Sequence, residues 1–338
     1  MSGYVVAVCG ATGLVGQTFI KILEEREFPI RELRLLASER SSGKQLVFRG
    51  ASLPVLETTR EAFRGVELAL FSAGADVSQE FAPLAAAAGA VVIDNSSAWR
   101  MDPAVPLVVP EVNPQDIRDH HGIIANPNCS TIQMVVALTP LHRANPLRRI
   151  IVDTYQSVSG TGSNAVDELM AQTNDFLAGR QPQAEVYPHQ IAMNVFPHID
   201  PLRDGGYYNE EWKMIHETRK IMHEPELAIS ATCVRVPVPI SHSEAVHVEL
   251  ERPMSAAEAR ALLAEAPGVA LQDDPGAAVY PMPKDATGRD EVFVGRLRKD
   301  ASHPNGLAMW IVSDNLRKGA ALNGVQIAEW LLANVGRG

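Results

Sequence analysis

Three cysteines occur in the chain, and one of them stands where a thiol could act as a nucleophile. Cys129 follows Asn126-Pro127-Asn128 and immediately precedes the apolar-periodic stretch 130–141, so it falls at the start of an expected helix. There the positive end of the helix dipole and unpaired N–H groups favour a thiolate and offer donors to an oxyanion. Cys9 and Cys233 sit inside apolar, strand-like runs and read as buried core thiols. A soft nucleophile beside an acid-base group is what acyl transfer through a thioester requires. The chain has 10 histidines for that second role, and residue type alone does not choose among them.

A second constellation is Gly10-Ala11-Thr12-Gly13-Leu14-Val15-Gly16, directly after the strand-like Tyr4–Cys9 and opening an amphipathic stretch. Glycines there permit a tight turn and let backbone approach a pyrophosphate, while the helix N-terminus presents N–H groups to the anion. The next expected strand ends in Ser38-Glu39-Arg40-Ser41-Ser42-Gly43-Lys44, where an adenosine ribose would be read. Arg40, Ser41 and Lys44 suit a 2′-phosphate, whereas Glu39 suits a free 2′-hydroxyl; the basic cluster favours NADP, and a solvated turn is the alternative. A metal site is not expected: His120 and His121 are adjacent in a loop, and no HxxxH, HExxH or CxxC spacing occurs.

The elements that must position these groups follow from periodicity. Strands are expected at 4–9, 33–37, 68–72, 91–94, 107–109 and 123–125, alternating with helices at 14–25, 78–88 and 130–141, the pattern of a doubly wound parallel sheet. Beyond Arg148 the strands 150–158, 228–236, 245–251 and 307–313 are longer and more alternating, as in an antiparallel or mixed sheet. Helices at 165–177 and 210–222 interrupt them, and a last helix spans 320–333. The fold class is therefore α/β, a Rossmann-type dinucleotide-binding domain plus a second α+β domain. A length of 338 residues with 46% hydrophobic content supports two cores. A net charge of −10 disfavours nucleic acid as a partner. No apolar run approaches the length of a membrane span, no signal peptide is visible, and the sparse, scattered cysteines fit a reducing compartment, so a cytoplasmic protein is expected.

Several segments, in order along nearly the whole chain, resemble the aspartate-semialdehyde dehydrogenase family. They are the Gly10–Gly16 turn, Asn95-Ser96-Ser97-Ala98-Trp99-Arg100, Asn126 to Thr131, Gln156-Ser157-Val158-Ser159-Gly160, Glu210-Glu211-Trp212-Lys213, Cys233-Val234-Arg235 with His242, and Asn315 to Ala321. The sequence departs at Thr161, where many relatives carry Ala, and at Glu39 beside the adenosine-phosphate cluster.

The resemblance implies an NADP-binding domain, 1–128, completed by a C-terminal helix, 316–338, and a catalytic and dimerisation domain, 129–315. The implied reaction interconverts aspartyl 4-phosphate and aspartate 4-semialdehyde, with phosphate released. Cys129 would be the nucleophile, His242 the acid-base group, and Gln156 the amide that fixes the acyl carbonyl. Arg235 would fork onto the substrate carboxylate, Glu210 would pair with its ammonium, Lys213 and Arg100 would take phosphate, and Asn128 would line the substrate site. Ser159, Gly160 and Asn315 would contact the nicotinamide, and a homodimer or homotetramer is implied. Read without the resemblance, Gln156 is a strand-end residue facing water, and Glu210 with Lys213 is an exposed helix ion pair like Glu217 with Lys220. N-acetyl-glutamyl-phosphate reductase and a non-catalytic NADP-binding sensor are the competing readings. In the former the cysteine usually follows Gly and precedes Tyr-Pro, unlike Asn128-Cys129-Ser130-Thr131.

Overall fold

A computed structural model describes residues 3–334, in two compact units. The first runs to Asn128 and resumes at Ala320; the second is Cys129–Gly319.

The first unit is built on a seven-stranded sheet. Its strands are β1 (Tyr4–Cys9), β2 (Ile30–Ala37), β3 (Gln45–Phe48), β4 (Ala51–Glu57), β5 (Leu68–Phe71), β6 (Val91–Asp94) and β7 (Ile123–Ala125). Their order is β3-β4-β2-β1-β5-β6-β7, all parallel except β3 against β4. Residues alternate sides along β1, and both sides are buried: Val6 and Val8 pack with Phe19 and Ile22 of α1 (Leu14–Glu25), while Val5, Ala7 and Cys9 pack with Ala82 and Ala85 of α2 (Ala75–Ala87). Two expectations need correction. Leu107–Val109 is no strand; Leu107 makes one isolated parallel bridge to Ala125. The β3–β4 hairpin has no counterpart in the expected elements, because its outer residues are polar and half of its faces meet solvent.

The second unit is a mixed six-stranded sheet of order β11-β12-β13-β10-β8-β9. These are β8 (Leu147–Gln156), β9 (Ala228–Arg235), β10 (His242–Leu250), β11 (Val269–Leu271), β12 (Val292–Lys299) and β13 (Gly306–Ser313). The helices α3 (Cys129–Ala144), α4 (Ser163–Leu177), α5 (Asn209–Met222), α6 (Ala256–Ala264) and α7 (Pro283–Ala286) belong to this unit. Sequence periodicity missed β11, β12 and α6, whose short, Gly- and charge-bearing stretches carry weak period signals, and placed the start of β10 at Ala245 instead of His242. α3 is buried nearly all round, from Ser130 to Leu141, which is why its sequence shows only a broad apolar face.

The chain passes through a π-helical turn, Arg317–Ala321, into α8 (Leu322–Asn334), part of the first unit. Gly324 of α8 lies against the Phe19 ring so closely that a Cβ would sit 2.9 Å from it. Phe19 is fully buried and joins α1, α8 and the sheet in one core. Phe19→Ala is therefore expected to cost about 3–5 kcal/mol, read as a lower urea midpoint; a loss under about 1 kcal/mol would show that this packing is not what holds the unit.

Candidate active site

The turn after β1 has the geometry of an anion cradle. Gly10 has φ of +84°, and a Cβ there would lie 2.8 Å from the Ser72 backbone. A Cβ on Gly16 would come within 2.1 Å of the Gly10 carbonyl oxygen, so α1 can cross the turn only with glycine there. Gly13 is the N-cap of α1 and has no side chain to satisfy the first N–H groups of Leu14 and Val15. Those donors and the space kept by the glycines fit a dinucleotide pyrophosphate. The Thr12 hydroxyl reaches Ser41 Oγ at 3.5 Å, joining the turn to the short 3-10 segment Glu39–Ser41 after β2. Arg40 and Glu39 are both exposed there.

Beyond the carboxyl end of β6 in the same sheet, Arg100 is buried and donates from Nη2 to the Asn95 carbonyl at 2.9 Å. Burial raises the pKa of Asp94, an effect opposed by hydrogen bonds from Ser96 and by the Arg100 charge. Asn126 donates to Asn95 Oδ1 at 2.6 Å and accepts from Asn323 of α8 at 2.7 Å, so the segment leading to Asn128 is anchored from two sides. Asn128 itself is buried.

The catalytic candidates of the second unit are gathered by strand register. Arg235, last in β9, pairs with Gln156, last in β8, and His242, first in β10, pairs with Ser313 of β13. Cys129 is the first residue of α3 and half-buried, with the backbone of Gly319 packed on it so that a Cβ would lie 2.9 Å from Cys129 Cβ. Burial pushes the Cys9 thiol up to about 12 and that of Cys233 well above its usual value. Both are inert core thiols.

His242 is fully buried, and the Ser157 backbone N–H donates to its Nδ1 at 3.0 Å. A backbone amide can only donate, so Nδ1 is an acceptor and the neutral ring carries its proton on Nε2. Nε2 has no protein partner. Burial first, and the Arg235 charge second, pull the His242 pKa down to about 3, with Glu210 opposing. Asn315 supports this arrangement: its Oδ1 accepts from the Ser241 N–H at 2.8 Å and from the hydroxyls of Ser157 and Ser159, each at 3.2 Å.

Gln156 is buried and donates to Glu210 Oε1 at 3.2 Å, so it is no strand-end residue facing water. Glu210 is buried too, and Lys213 donates to its other oxygen at 2.9 Å and to Asp200. Glu217 is 1% exposed, which overturns its reading as half of a surface ion pair. Arg235 donates to the Ser157 carbonyl at 2.7 Å, its Nε has no partner, and its guanidinium lies 5.9 Å from the Tyr187 ring centroid. Gly160 is exposed, and a Cβ there would meet Arg235 at 3.2 Å and His242 at 3.4 Å.

Residues absent from the expected set complete the site. The Glu168 carboxylate accepts from the N–H groups of Glu185, Val186 and Tyr187, and Gln172 accepts from those of Ile191 and Ala192. These bonds fix the loop that carries Tyr187, whose hydroxyl donates to Thr161 at 2.8 Å. Thr161, a departure from the family pattern, is thus an acceptor beside the site. No local sequence signal links a glutamate on α4 to amides 17 to 19 residues away. Among the described residues no group of three or more His, Cys, Asp or Glu could hold a metal ion.

A dinucleotide cradle in one unit and a thiol with a buried histidine and guanidinium in the next define a dehydrogenase that works on acyl or aldehyde carbon, the class of the semialdehyde dehydrogenases. The family model for the semialdehyde dehydrogenase NAD binding domain matches residues 5–120, and that for the dimerisation domain matches 138–318. The chain is 57% identical over 334 residues to the aspartate-semialdehyde dehydrogenase of Aquifex aeolicus, with 98% of each covered. It is 55% identical over 337 residues to that of Bacillus subtilis, with 97% of each covered. The chain belongs to the aspartate-semialdehyde dehydrogenase family. Among solved structures, aspartate semialdehyde dehydrogenase II from Vibrio cholerae, complexed with ASA, superposes with a TM-score of 0.96 at 49% identity over 99% of each chain. The enzyme from Candida albicans with NADP gives 0.77 at 28% identity, over 98% of this chain and 99% of that one.

The His242 shift has a stability consequence. With the folded pKa near 3 and the unfolded value near 6.5, protonation favours the unfolded chain as pH falls from about 6.5 toward 3. The wild type should therefore lose more thermal stability between pH 7 and pH 5 than His242→Gln does. Equal losses would show that the ring is not held neutral.

Proposed function

We propose that the chain catalyses the reversible NADPH-dependent reduction of L-aspartyl 4-phosphate to L-aspartate 4-semialdehyde and phosphate. The observation that carries this reading is the buried His242 ring, whose Nδ1 is held by the Ser157 N–H, in the unit whose first residue is the helix-opening thiol of Cys129. The names of the relatives supply the substrate, and the basic Arg40 beside Ser41 and Thr12 supports NADP over NAD.

Cys129 attacks the acyl carbon as a thiolate; the C–S bond forms and the C–O bond to phosphate breaks, leaving a thioester. Nicotinamide, when bound, supplies the hydride that reduces this carbon. The oxygen then carries developing negative charge, which His242 Nε2–H receives as donor and Gln156 supports through its amide. Collapse breaks the C–S bond, releases the aldehyde and restores the thiolate. His242 stays in the Nε2–H form through these steps, because the Ser157 N–H occupies Nδ1 at 3.0 Å.

Arg235, with its unpartnered Nε, binds the α-carboxylate as a fork, and Glu210 takes the ammonium. Lys213 and Arg100 receive phosphate; Lys213 must turn from Asp200 to do so. Asn128 borders the substrate next to Cys129. Ser159 and Gly160 form the backbone floor for the nicotinamide, and Asn315 reaches it through the network it already makes with Ser159. The turn Gly10, Thr12, Gly13, Leu14, Val15 and Gly16 would hold the pyrophosphate. The reaction serves lysine, diaminopimelate, methionine, threonine and isoleucine biosynthesis in the cytoplasm. A homodimer, further paired into a tetramer or not, would use the sheet face that leaves Tyr155 and Met282 exposed beside Trp310.

The test is absorbance at about 340 nm, the NADPH band of the cofactor, with aspartate semialdehyde, phosphate and NADP, and with NAD or N-acetylglutamate semialdehyde as controls. Phosphate-dependent NADPH formation from the aspartyl substrate alone is expected, and turnover of only the acetylated substrate would overturn the substrate assignment. Cys129→Ser should bind NADP normally and lose at least about 10³-fold in kcat. Arg235→Lys should raise KM about 10-fold or more; an unchanged KM would remove the carboxylate from its role.

A further inference from the structure

Directly beneath the row formed by Arg235, Gln156 and His242 lies a second polar row that the proposed chemistry does not use. The same register that pairs Gln156 with Arg235 pairs Thr154 with Cys233 on one side, and Glu244 pairs with both Thr154 and Ile311. Side chains two residues apart on a strand share a face. Glu244 therefore lies on the face of His242, and Thr154 on the face of Gln156. Glu244 is fully buried, and neither carboxyl oxygen has a hydrogen-bond partner. The Thr154 hydroxyl is likewise buried without one.

The group facing Glu244 is Gln133, one helical turn after Cys129 on α3. Gln133 is fully buried; its Oε1 accepts from Ser313 at 2.8 Å, and its amide nitrogen has no partner. Ser313 in turn pairs with His242 across β10 and β13 and stands two residues before Asn315. A donor that lacks an acceptor thus faces an acceptor that lacks a donor. They join the helix that begins with the thiol to the strand that begins with the histidine.

We propose that Glu244 is a positioning residue: through Gln133 and Ser313 it ties the N-terminal turn of α3 to β10 and sets the placement of Cys129 against His242. Burial pushes its pKa well up and only the Gln133 amide works against this, which favours the neutral carboxylic acid. In that form one oxygen can accept from Gln133, while Thr154 stands opposite Glu244 in the β8–β10 register. An ionised carboxylate would place an uncompensated charge in the core.

This inference rests on the roles proposed for Cys129 and His242, and its test separates the two. Glu244→Gln keeps length, neutrality and both hydrogen-bonding functions, whereas Glu244→Met keeps only the volume. Glu244→Met is expected to lower kcat about 10-fold or more with KM within about 2-fold, because misplacement acts on the transition state more than on substrate binding. Its Cys129 should react more slowly with iodoacetamide by a similar factor, while Glu244→Gln stays within about 3-fold of the wild type in both. Unchanged kcat in Glu244→Met, or equal damage in Glu244→Gln, would overturn the proposal. Should Glu244→Met not fold, as judged by circular dichroism, Gln133→Met takes its place with the same expected split of kcat from KM, and an unchanged kcat there is equally fatal. Cys129→Ser is run alongside: if it retains turnover, the underlying roles fail, whereas full loss in Cys129→Ser with normal Glu244→Met removes only Glu244.

Discussion

The second unit depends on one buried amide. Asn315 Oδ1 accepts from the backbone of Ser241 and from two hydroxyls in the 157–159 segment, three donors drawn from two chain segments far apart in sequence. Ser241 is the residue before His242, and Ser157 is the residue whose N–H holds the imidazole. The amide therefore fixes both the strand start that carries the ring and the turn that orients it. Buried as these groups are, an unmet donor among them would cost about 1–3 kcal/mol, so the network has one low-energy arrangement.

Burial sets the charge states as firmly as it sets the geometry. The protein places Arg235, His242, Glu210 and Gln156 almost wholly out of water at one end of the sheet. Burial first, and the neighbouring Arg235 guanidinium second, favour the neutral form of the histidine. The Glu210 side chain accepts from Lys213 on one oxygen and from the Gln156 amide on the other. A preorganised polar surface of this kind needs little rearrangement when charge develops on a substrate oxygen.

The first unit solves a different problem with backbone instead of side chains. Its central strand is buried on both faces, so the turn that follows is rigidly placed. The glycines then bring α1 close enough that its N-terminal amides, and no side chain, meet an anion. Phe19 and Gly324 extend the same close packing to α8.

How much of this was legible depends on the range over which each interaction acts. The Gly10–Gly16 turn, the helix opened by Cys129, the core status of Cys9 and Cys233 and the division into a parallel and a mixed sheet are written in local spacing and period, which act over a few residues. Local pattern failed at Leu107–Val109, where an apolar run found only one bridging partner, at β11, which is three residues long, and at β12, where Gly295, Arg296, Arg298 and Lys299 break the apolar pattern. It misjudged Glu217 as exposed because its helix shows charges on every turn; burial is decided by what packs on it. Glu168 on α4, Tyr187 beside Arg235, the network around Asn315 and the Glu244–Gln133 pair gave no sequence signal. Their partners are brought together by strand register and loop path, and hydrogen bonds between residues distant in the chain leave no periodic trace in it. The sequence by itself thus determined which chemistry the residues could perform. The tertiary structure decided their protonation, orientation and support, because those depend on desolvation and on contacts that exist only once the strands are paired.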